Sequence, residues 1–195
     1  LGRAQVAAGE MQQALSTYEK LTSRLPNSPL PLIAQADLQV AAKDLNAAEN
    51  SLRKALPRDS YICTDVGWNK NGLAQQYPVY QPGSIFTPGG FATMGFGSPA
   101  AMGAKLALKD KIVVALTGDG GWGQNPAVLA TAKESNIPVI WVIMNNHAFG
   151  TIAGLEKAHY DTTFGTVFEV DGETYSPDYA AIARAYGIDG ITVNA

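Results

Sequence analysis

Cysteine and histidine are scarce in this sequence of 195 residues, and its net charge is small. Its single cysteine, Cys63, excludes a framework of internal disulfides and fits a reducing compartment, so we expect a cytoplasmic protein. The formal net charge is only -3 and there is no basic stripe, which argues against nucleic acid as a partner. Long hydrophobic runs are lacking too. The longest, at 137–144, suits a buried strand and is too short to span a membrane.

Glycine and tryptophan are unevenly distributed and divide the chain into two parts. The first 56 residues contain 2 of the 20 glycines and none of the three tryptophans. Such a shift in composition predicts two domains, 1–56 and 57–195, with the boundary at Pro57. No signal peptide is visible. Because the chain begins without methionine and in the middle of a pattern, we interpret it as a fragment or a fusion.

Apolar residues in the first part recur with a helical period, which a proline-rich break at 26–29 interrupts. A shift by 34 residues, the tetratricopeptide period, places Ala14 on Ala48 and Tyr18 on Leu52. Residues 1–56 therefore resemble roughly 1.6 tetratricopeptide repeats, with an unrelated helical hairpin as the alternative. So few repeats rarely bury a stable core. We therefore expect this segment to pack against the second domain, further repeats or another chain. Its expected role is to bind a protein partner.

The second part alternates between apolar runs and helical patterns. Two of the runs are continuously apolar, which is typical of strands that are buried on both faces in a parallel sheet. We therefore predict an α/β fold, a parallel sheet covered by helices. The predicted strands are 61–66, 84–87, 111–117, 138–144 and 191–193, and the predicted helices are 68–76, 97–108, 126–136, 149–157 and 177–186.

Polar residues follow two neighbouring predicted strands directly. A Gly-Asp-Gly motif stands at 118–120 and an Asn-Asn pair at 145–146. Ligands of open α/β sheets bind where parallel strands end. A carboxylate and an amide oxygen on adjacent loops can hold Mg²⁺, with a diphosphate completing its shell, while the glycines let the backbone approach phosphates closely. The alternative is two ordinary turns, with the asparagines as a helix cap.

The motif resembles the cofactor motif of thiamine-diphosphate enzymes, because Asp119 and Asn146 stand 27 positions apart, as in that family. The resemblance implies that thiamine diphosphate and Mg²⁺ are the cofactors. It further implies that Asp119, the Asn146 side chain and the Ala148 carbonyl bind the metal. No catalytic residue of this chain is implied, and His147 and His159 are more simply explained as solvated or locally packed.

Two further segments resemble the same family. The segment 90–101 is similar to the one that receives the aminopyrimidine ring, with Met94 as the apolar wedge that bends the cofactor. Many relatives carry glycine where Ala92 stands. The loop 65–69 is similar to the one that holds the diphosphate. The cofactor-binding residues implied in all are Gly67, Trp68, Asn69, Ala92, Met94, Gly118, Gly120, Gly121, Asn146, Ala148 and Gly150.

The run at 136–146 is most similar to the acetolactate synthase and benzoylformate decarboxylase group. That resemblance implies a lyase or transferase that decarboxylates a 2-oxo acid or joins it to a second carbonyl compound. The glutamate that activates the cofactor in this family belongs to a pyrimidine-binding domain, which no segment here resembles. We therefore expect little turnover by the chain alone, and a homo-oligomer or partner chain that supplies this domain. The alternatives are an interaction module with a vestigial α/β domain, and an artificial fusion.

Overall fold

The computed structural model of the chain describes residues 11–24, 35 and 55–193. The chain divides into two compact units, and the larger consists of Asp59–Gln75 and Val79–Gly190. In the smaller unit, helix α1 spans Met11–Arg24. The hydroxyls of Thr22 and Ser23 donate to carbonyls four residues earlier, which is a common arrangement in the last turn of a helix. The rest of the tetratricopeptide-like segment lies outside the described residues, so the repeat stays a prediction.

The larger unit is built on one parallel sheet. Its strands are β1 (Tyr61–Thr64), β2 (Ile85–Phe86), β3 (Val113–Gly118) and β4 (Ile140–Met144), in the order β2-β1-β3-β4. Every neighbouring pair is parallel. All of β1 and nearly all of β3 are buried, as expected of central strands that are covered on both faces. The predicted parallel sheet covered by helices is therefore confirmed.

Four helices connect successive strands of this sheet, as parallel pairing requires: α2 (Trp68–Gln76), α3 (Gly97–Ala107), α4 (Asp119–Trp122) and α5 (Val128–Glu134). Two more follow β4, namely α6 (Gly150–Tyr160) and α7 (Tyr179–Ala185). Helix α3 packs on β1 and β3 through small side chains, with Ala101 fully buried against the apolar core that contains Cys63 and Ala115. A two-stranded antiparallel hairpin, β5 (Glu169–Val170) and β6 (Glu173–Thr174), stands apart from the main sheet.

Some boundaries differ from the prediction. The predicted strand at 191–193 is wrong, because these residues are largely exposed and form no ladder in the described part of the chain. Apolar alternation indicates a strand only where a partner strand is available. Helix α6 continues to Tyr160, and Asp161 ends it in a left-handed conformation. Helix α5 begins only at Val128, after a series of turns.

The short helix α4 and the β5–β6 hairpin were not predicted. Among the described residues, no helix is both long and apolar enough to cross a membrane.

Candidate functional site

The site lies at the carboxyl edge of the sheet, where β1, β3 and β4 end. The parallel register brings the ends of β3 and β4 together, since Gly118 is paired with Met144. The Gly-Asp-Gly motif follows β3 as the first turn of α4, and the Asn-Asn pair follows β4. The topology therefore places the two predicted metal-binding loops side by side.

Asp119 is the first residue of α4, and only 2% of its surface is exposed. Its Oδ1 accepts a hydrogen bond from the Gly120 N–H at 2.9 Å. Its buried Oδ2 has no hydrogen-bond partner in the described part of the chain. A buried carboxylate oxygen without a donor is costly unless a cation or a further donor meets it. Asp119 is thus prepared to accept a positively charged ligand.

Asn146 extends toward Asp119 from the neighbouring loop. One terminal atom of its amide lies 3.0 Å from Asp119 Oδ1 and 3.0 Å from the Ala148 carbonyl oxygen. If that atom is the nitrogen, it donates hydrogen bonds to Asp119 Oδ1 and to the Ala148 carbonyl oxygen. If it is the oxygen, three oxygens converge at this point, one each from Asp119, Asn146 and Ala148. Three converging oxygens repel one another unless a hard cation lies between them, and a shell of oxygens is the one that Mg²⁺ prefers. The donor set therefore fits the predicted metal.

The metal-loop segment 147–149 is held from one side by the segment 166–168. The Phe149 N–H donates to the Thr166 carbonyl at 2.8 Å, and the Phe168 N–H donates to the His147 carbonyl at 2.7 Å. Ala148 and Val167 form the antiparallel bridge between these two bonds. In such a bridge the carbonyl of the central residue points away from the partner strand. The bridge therefore turns the Ala148 carbonyl toward Asn146.

His147 adopts a positive φ of 55°, which is uncommon for a residue other than glycine. Its Nδ1 lies 2.8 Å from the Ser176 hydroxyl, and that hydroxyl donates to Asn145 Oδ1 at 2.9 Å. His147 is therefore fixed by local hydrogen bonds, whereas His159 lies at the exposed end of α6.

Gly120 has apolar neighbours on one side. A Cβ atom at this position would lie 2.7 Å from the Phe149 ring and 3.3 Å from the terminal methyl group of Met94. Phe149 in turn makes an edge-to-face contact with Phe168, at 4.9 Å between ring centroids. The structure thus brings the Met94 methyl group beside the backbone of the Gly-Asp-Gly motif, where an apolar wedge was predicted.

The aminopyrimidine-like segment is a series of tight turns before α3. Ala92 has a φ of 52° and Gly95 a φ of 87°. The left-handed conformation costs roughly 1–2 kcal/mol for a residue with a side chain. Glycine would avoid this cost at position 92, and the alanine here adopts the left-handed conformation despite it.

The first turn of α2, directly after the loop that follows β1, contains two of the predicted residues, and they differ in exposure. Asn69 is buried, and its Nδ2 donates to the Val66 carbonyl at 3.0 Å while its Oδ1 has no partner in the described part of the chain. A Cβ atom on Gly118 would lie 3.4 Å from that Nδ2. Trp68 is largely exposed. One N–H of Asn69 is thus used locally, and its role in cofactor binding stays a prediction.

The exposed Trp68 indole covers Gly150 at the start of α6. A Cβ atom on Gly150 would collide with Asn146 Nδ2 and lie 3.1 Å from Trp68 Cδ1. A glycine is therefore required where the loop after β1 meets the loop after β4.

Sequence reasoning missed Asp65, the first residue after β1, which is completely buried. Its carboxylate accepts from the N–H groups of Val66, Gly95 and Gly97. The available signal was an acidic residue directly after a buried apolar strand, the same position that Asp119 occupies after β3.

Other reactive groups lie away from the site. Burial raises the pKa of the Cys63 thiol to about 12, so this cysteine is a core residue. No group of three or more His, Cys, Asp and Glu side chains that could hold a metal occurs among the described residues. A metal at the sheet edge therefore depends on amide and carbonyl oxygens beside the single carboxylate of Asp119.

The fold and the strand-end loops define a cofactor-binding domain of the α/β class. The family described as "Thiamine pyrophosphate enzyme, C-terminal TPP binding domain" matches residues 65–195, and the chain belongs to this family. It is 33% identical over 181 residues to a probable acetolactate synthase large subunit of Methanococcus aeolicus, covering 91% of this chain and 29% of the relative. It is 36% identical over 137 residues to the acetolactate synthase large subunit of Lactococcus lactis, covering 70% and 23%.

A solved structure agrees with this assignment. The thiamine diphosphate-dependent 4-hydroxybenzoylformate decarboxylase of Rhodococcus jostii RHA1 superposes with a TM-score of 0.60 at 29% identity, over 69% of this chain and 24% of that one. The chain thus spans between a fifth and a third of the length of these relatives.

Proposed function

We propose that this chain binds thiamine diphosphate together with Mg²⁺ at the carboxyl edge of its sheet. The observation that carries the proposal is the approach of Asp119, the Asn146 amide and the Ala148 carbonyl at 3.0 Å, beside the unpartnered Asp119 Oδ2. Membership of the thiamine pyrophosphate family supports the identity of the cofactor. The oxygen-rich donor set supports magnesium as the ion.

In this proposal each loop has one task. Asp119, Asn146 and Ala148 hold the metal, and the glycines of the motif admit the phosphates to the backbone. The second N–H of Asn69 and the backbone of Gly67 and Trp68 face the diphosphate from the loop after β1. The segment with Ala92 and Met94 orients the aminopyrimidine ring. The bound cofactor supplies a carbon nucleophile for 2-oxo acids.

The reaction class is also part of the proposal. Curated relatives are named acetolactate synthase large subunits, and another, from Alcaligenes xylosoxydans xylosoxydans, is named sulfoacetaldehyde acetyltransferase. We therefore propose that the chain is the cofactor domain of a decarboxylase or carboligase that acts on 2-oxo acids. The same proposal includes a domain boundary near residue 57 and a cytoplasmic location. It also includes a partner chain or second copy that supplies the pyrimidine-binding domain.

The decisive experiment is calorimetric titration of thiamine diphosphate with and without Mg²⁺. The wild-type chain should bind only when the metal is present, and Asp119→Ala should lose that binding because the only carboxylate at the metal is removed. Asp110→Ala is the matched control, since Asp110 is an exposed turn residue before β3, at the opposite end of this strand from Asp119. Binding by Asp119→Ala equal to that of wild type would contradict the proposed metal site.

Turnover provides a second test. We expect the purified chain to decarboxylate pyruvate at little above the uncatalysed rate, because no described residue takes the part of the activating glutamate. Steady decarboxylation by the chain alone would show that the pyrimidine-binding domain is dispensable.

A further inference from the structure

Asp65 is a fully buried carboxylate whose partners all belong to the backbone of the loops around the site. Its Oδ1 accepts from the Val66 N–H at 2.8 Å and from the Gly95 N–H at 3.1 Å, and its Oδ2 accepts from the Gly97 N–H at 2.7 Å. Hydrogen bonds to an ionised acceptor are roughly twice as strong as those between neutral groups. One side chain therefore fixes two backbone amides that lie 30 and 32 positions further along the chain.

The backbone of Asp65 is fixed as well. Its N–H donates to the Leu116 carbonyl of β3 at 3.2 Å, so the carboxylate is anchored to the centre of the sheet. The Asp65 side chain is also the nearest neighbour of Gly121 in α4, where an added Cβ atom would lie 2.5 Å from Oδ1. Asp65 thus contacts the segment before α3 and the helix that begins with Asp119, and it belongs itself to the loop after β1.

The segment that Asp65 holds contains one backbone conformation that is unfavourable by itself. Ala92 and Gly95 both have positive φ values, which glycine adopts freely but which alanine disfavours. Met94 lies between these two residues, and its methyl group is beside Gly120. Fixing Gly95 and Gly97 therefore determines where the Met94 side chain lies relative to the Gly-Asp-Gly motif.

We propose that Asp65 is a positioning residue, which holds the Ala92–Met94 turn in register with the Gly-Asp-Gly motif through the Gly95 and Gly97 amides. This inference rests on the proposed function, because it assigns the held turn to the aminopyrimidine part of the cofactor. Asp65 itself contacts neither the cofactor nor the metal. Its removal should therefore weaken recognition of the organic part of the cofactor more than recognition of the diphosphate.

The test compares two titrations on Asp65→Asn, both with Mg²⁺ present. Inorganic diphosphate should bind the variant within about twofold of wild type, because the metal ligands are unchanged. Thiamine diphosphate should bind at least roughly tenfold more weakly, because the asparagine presents an N–H group to a backbone N–H donor. Asp110→Asn is the control, and it should leave both affinities unchanged.

The outcomes are distinguishable from failure of the proposed function. Equal losses for both ligands would identify Asp65 as a purely structural residue and would overturn the inference, as would unchanged affinity for both. A wild-type chain that binds diphosphate with Mg²⁺ but thiamine diphosphate no more tightly would instead contradict the proposed cofactor. In that case hydrogen exchange of the Gly95 and Gly97 amides still tests whether Asp65 holds this segment.

Hydrogen exchange of the cofactor-free protein needs no ligand, and its wild-type half needs no variant that has to fold. Hydrogen exchange of the Gly95 and Gly97 amides in the wild-type chain should be as slow as that of β3 amides, although both residues lie outside regular strands. In Asp65→Asn these two amides should exchange at least roughly tenfold faster relative to those of β3. Fast exchange of both amides in wild type would overturn the anchoring role of Asp65.

Discussion

Two buried aspartates follow two adjacent strands at the same position, Asp65 directly after β1 and Asp119 directly after β3. Their exposed fractions are 0% and 2%. Asp65 accepts three backbone hydrogen bonds on its two oxygens. Asp119 uses only Oδ1, which accepts from the Gly120 N–H and lies 3.0 Å from the Asn146 amide, and its Oδ2 has no partner in the described part of the chain. The same side chain in the same topological position is satisfied in one case and left open in the other.

This difference separates a carboxylate that stabilises the protein from one that is prepared for a ligand. A satisfied buried carboxylate gains stability from its donors, whereas an unsatisfied one lowers stability until a ligand binds it. Substitution of the two residues should therefore change the free energy of unfolding in opposite directions, which is the first way to test the comparison.

The largest effect is expected for Asp65→Asn. Loss of a charged acceptor and an N–H facing buried N–H donors should cost about 3 kcal/mol of the free energy of unfolding. For a chain of this size the melting temperature should fall by roughly 6–12 °C. Differential scanning calorimetry in the absence of ligands measures this directly. A melting temperature equal to that of wild type would remove the basis of the comparison.

The next largest effect concerns the contact between Asp65 and α4. Gly121→Ala would place a Cβ atom 2.5 Å from Asp65 Oδ1, so the carboxylate or the helix must move, at a cost of about 1–3 kcal/mol. Gly103→Ala is the matched control, because nothing lies within 4 Å of a Cβ atom at that position in α3. Denaturant unfolding should show Gly121→Ala destabilised and Gly103→Ala stabilised by about 0.5–1 kcal/mol.

A third effect concerns the loop that accompanies Asp119 at the metal. Phe168→Pro removes the N–H that donates to the His147 carbonyl, and Phe168→Ala keeps that N–H while losing the same ring. Mg²⁺ should bind the proline variant roughly five- to tenfold more weakly than the alanine variant, because the Ala148 carbonyl loses its fixed orientation. Calorimetry with inorganic diphosphate present measures the difference. Equal Mg²⁺ affinities would show that the bridge to 166–168 does not orient the loop.

A smaller effect, of opposite sign to that of Asp65→Asn, is expected for Asp119→Asn. The substitution removes a buried charge whose Oδ2 has no partner in the described part of the chain, so the ligand-free melting temperature should stay unchanged or rise by about 2–4 °C. The same variant should lose Mg²⁺-dependent binding of thiamine diphosphate. A clear fall in the ligand-free melting temperature would mean that Asp119 is a structural carboxylate like Asp65.

The last effect is absent at neutral pH and appears only in alkali, and it comes from β1, the strand that ends directly before Asp65. Burial raises the pKa of Cys63 to about 12, whereas an unfolded thiol ionises near pH 8.5. The neutral thiol therefore contributes its full stability below about pH 8.5, and this contribution is lost as the pH rises toward 12. The difference in melting temperature between wild type and Cys63→Ala should be constant below pH 8. Between pH 9 and 11 the melting temperature of wild type should fall relative to that of the variant.

The sheet and the position of the metal loops could be predicted because both follow from patterns local in sequence. Continuous apolar runs indicate buried parallel strands, and the residues after them must lie at one edge. Asp119, Asn146 and Ala148 lie together in the structure for this reason, although their roles stay predictions. The positions of Met94 and Gly150 followed only from the resemblance to a family.

The features that were missed depend on contacts between distant segments. The role of Asp65 depends on two amides more than 30 residues away, and helical periodicity cannot reveal them. The bridge between Ala148 and Val167 joins a loop to an irregular segment without any apolar pattern. The predicted strand at 191–193 failed for the opposite reason, since its pattern was present but no neighbouring strand pairs with it in the described residues.

The two hydrogen bonds between 147–149 and 166–168 also couple metal binding to the conformation of segment 166–168. If Mg²⁺ favours one orientation of the Ala148 carbonyl, it must favour the paired conformation of 166–168 by the same free energy, and reciprocity requires the reverse. The Thr166 hydroxyl additionally donates to the Glu156 carboxylate of α6 at 2.6 Å, so α6 is coupled to metal binding as well. A molecule that binds the exposed Phe164 and favours the paired conformation of 166–168 would therefore raise the affinity for Mg²⁺ without touching a metal ligand.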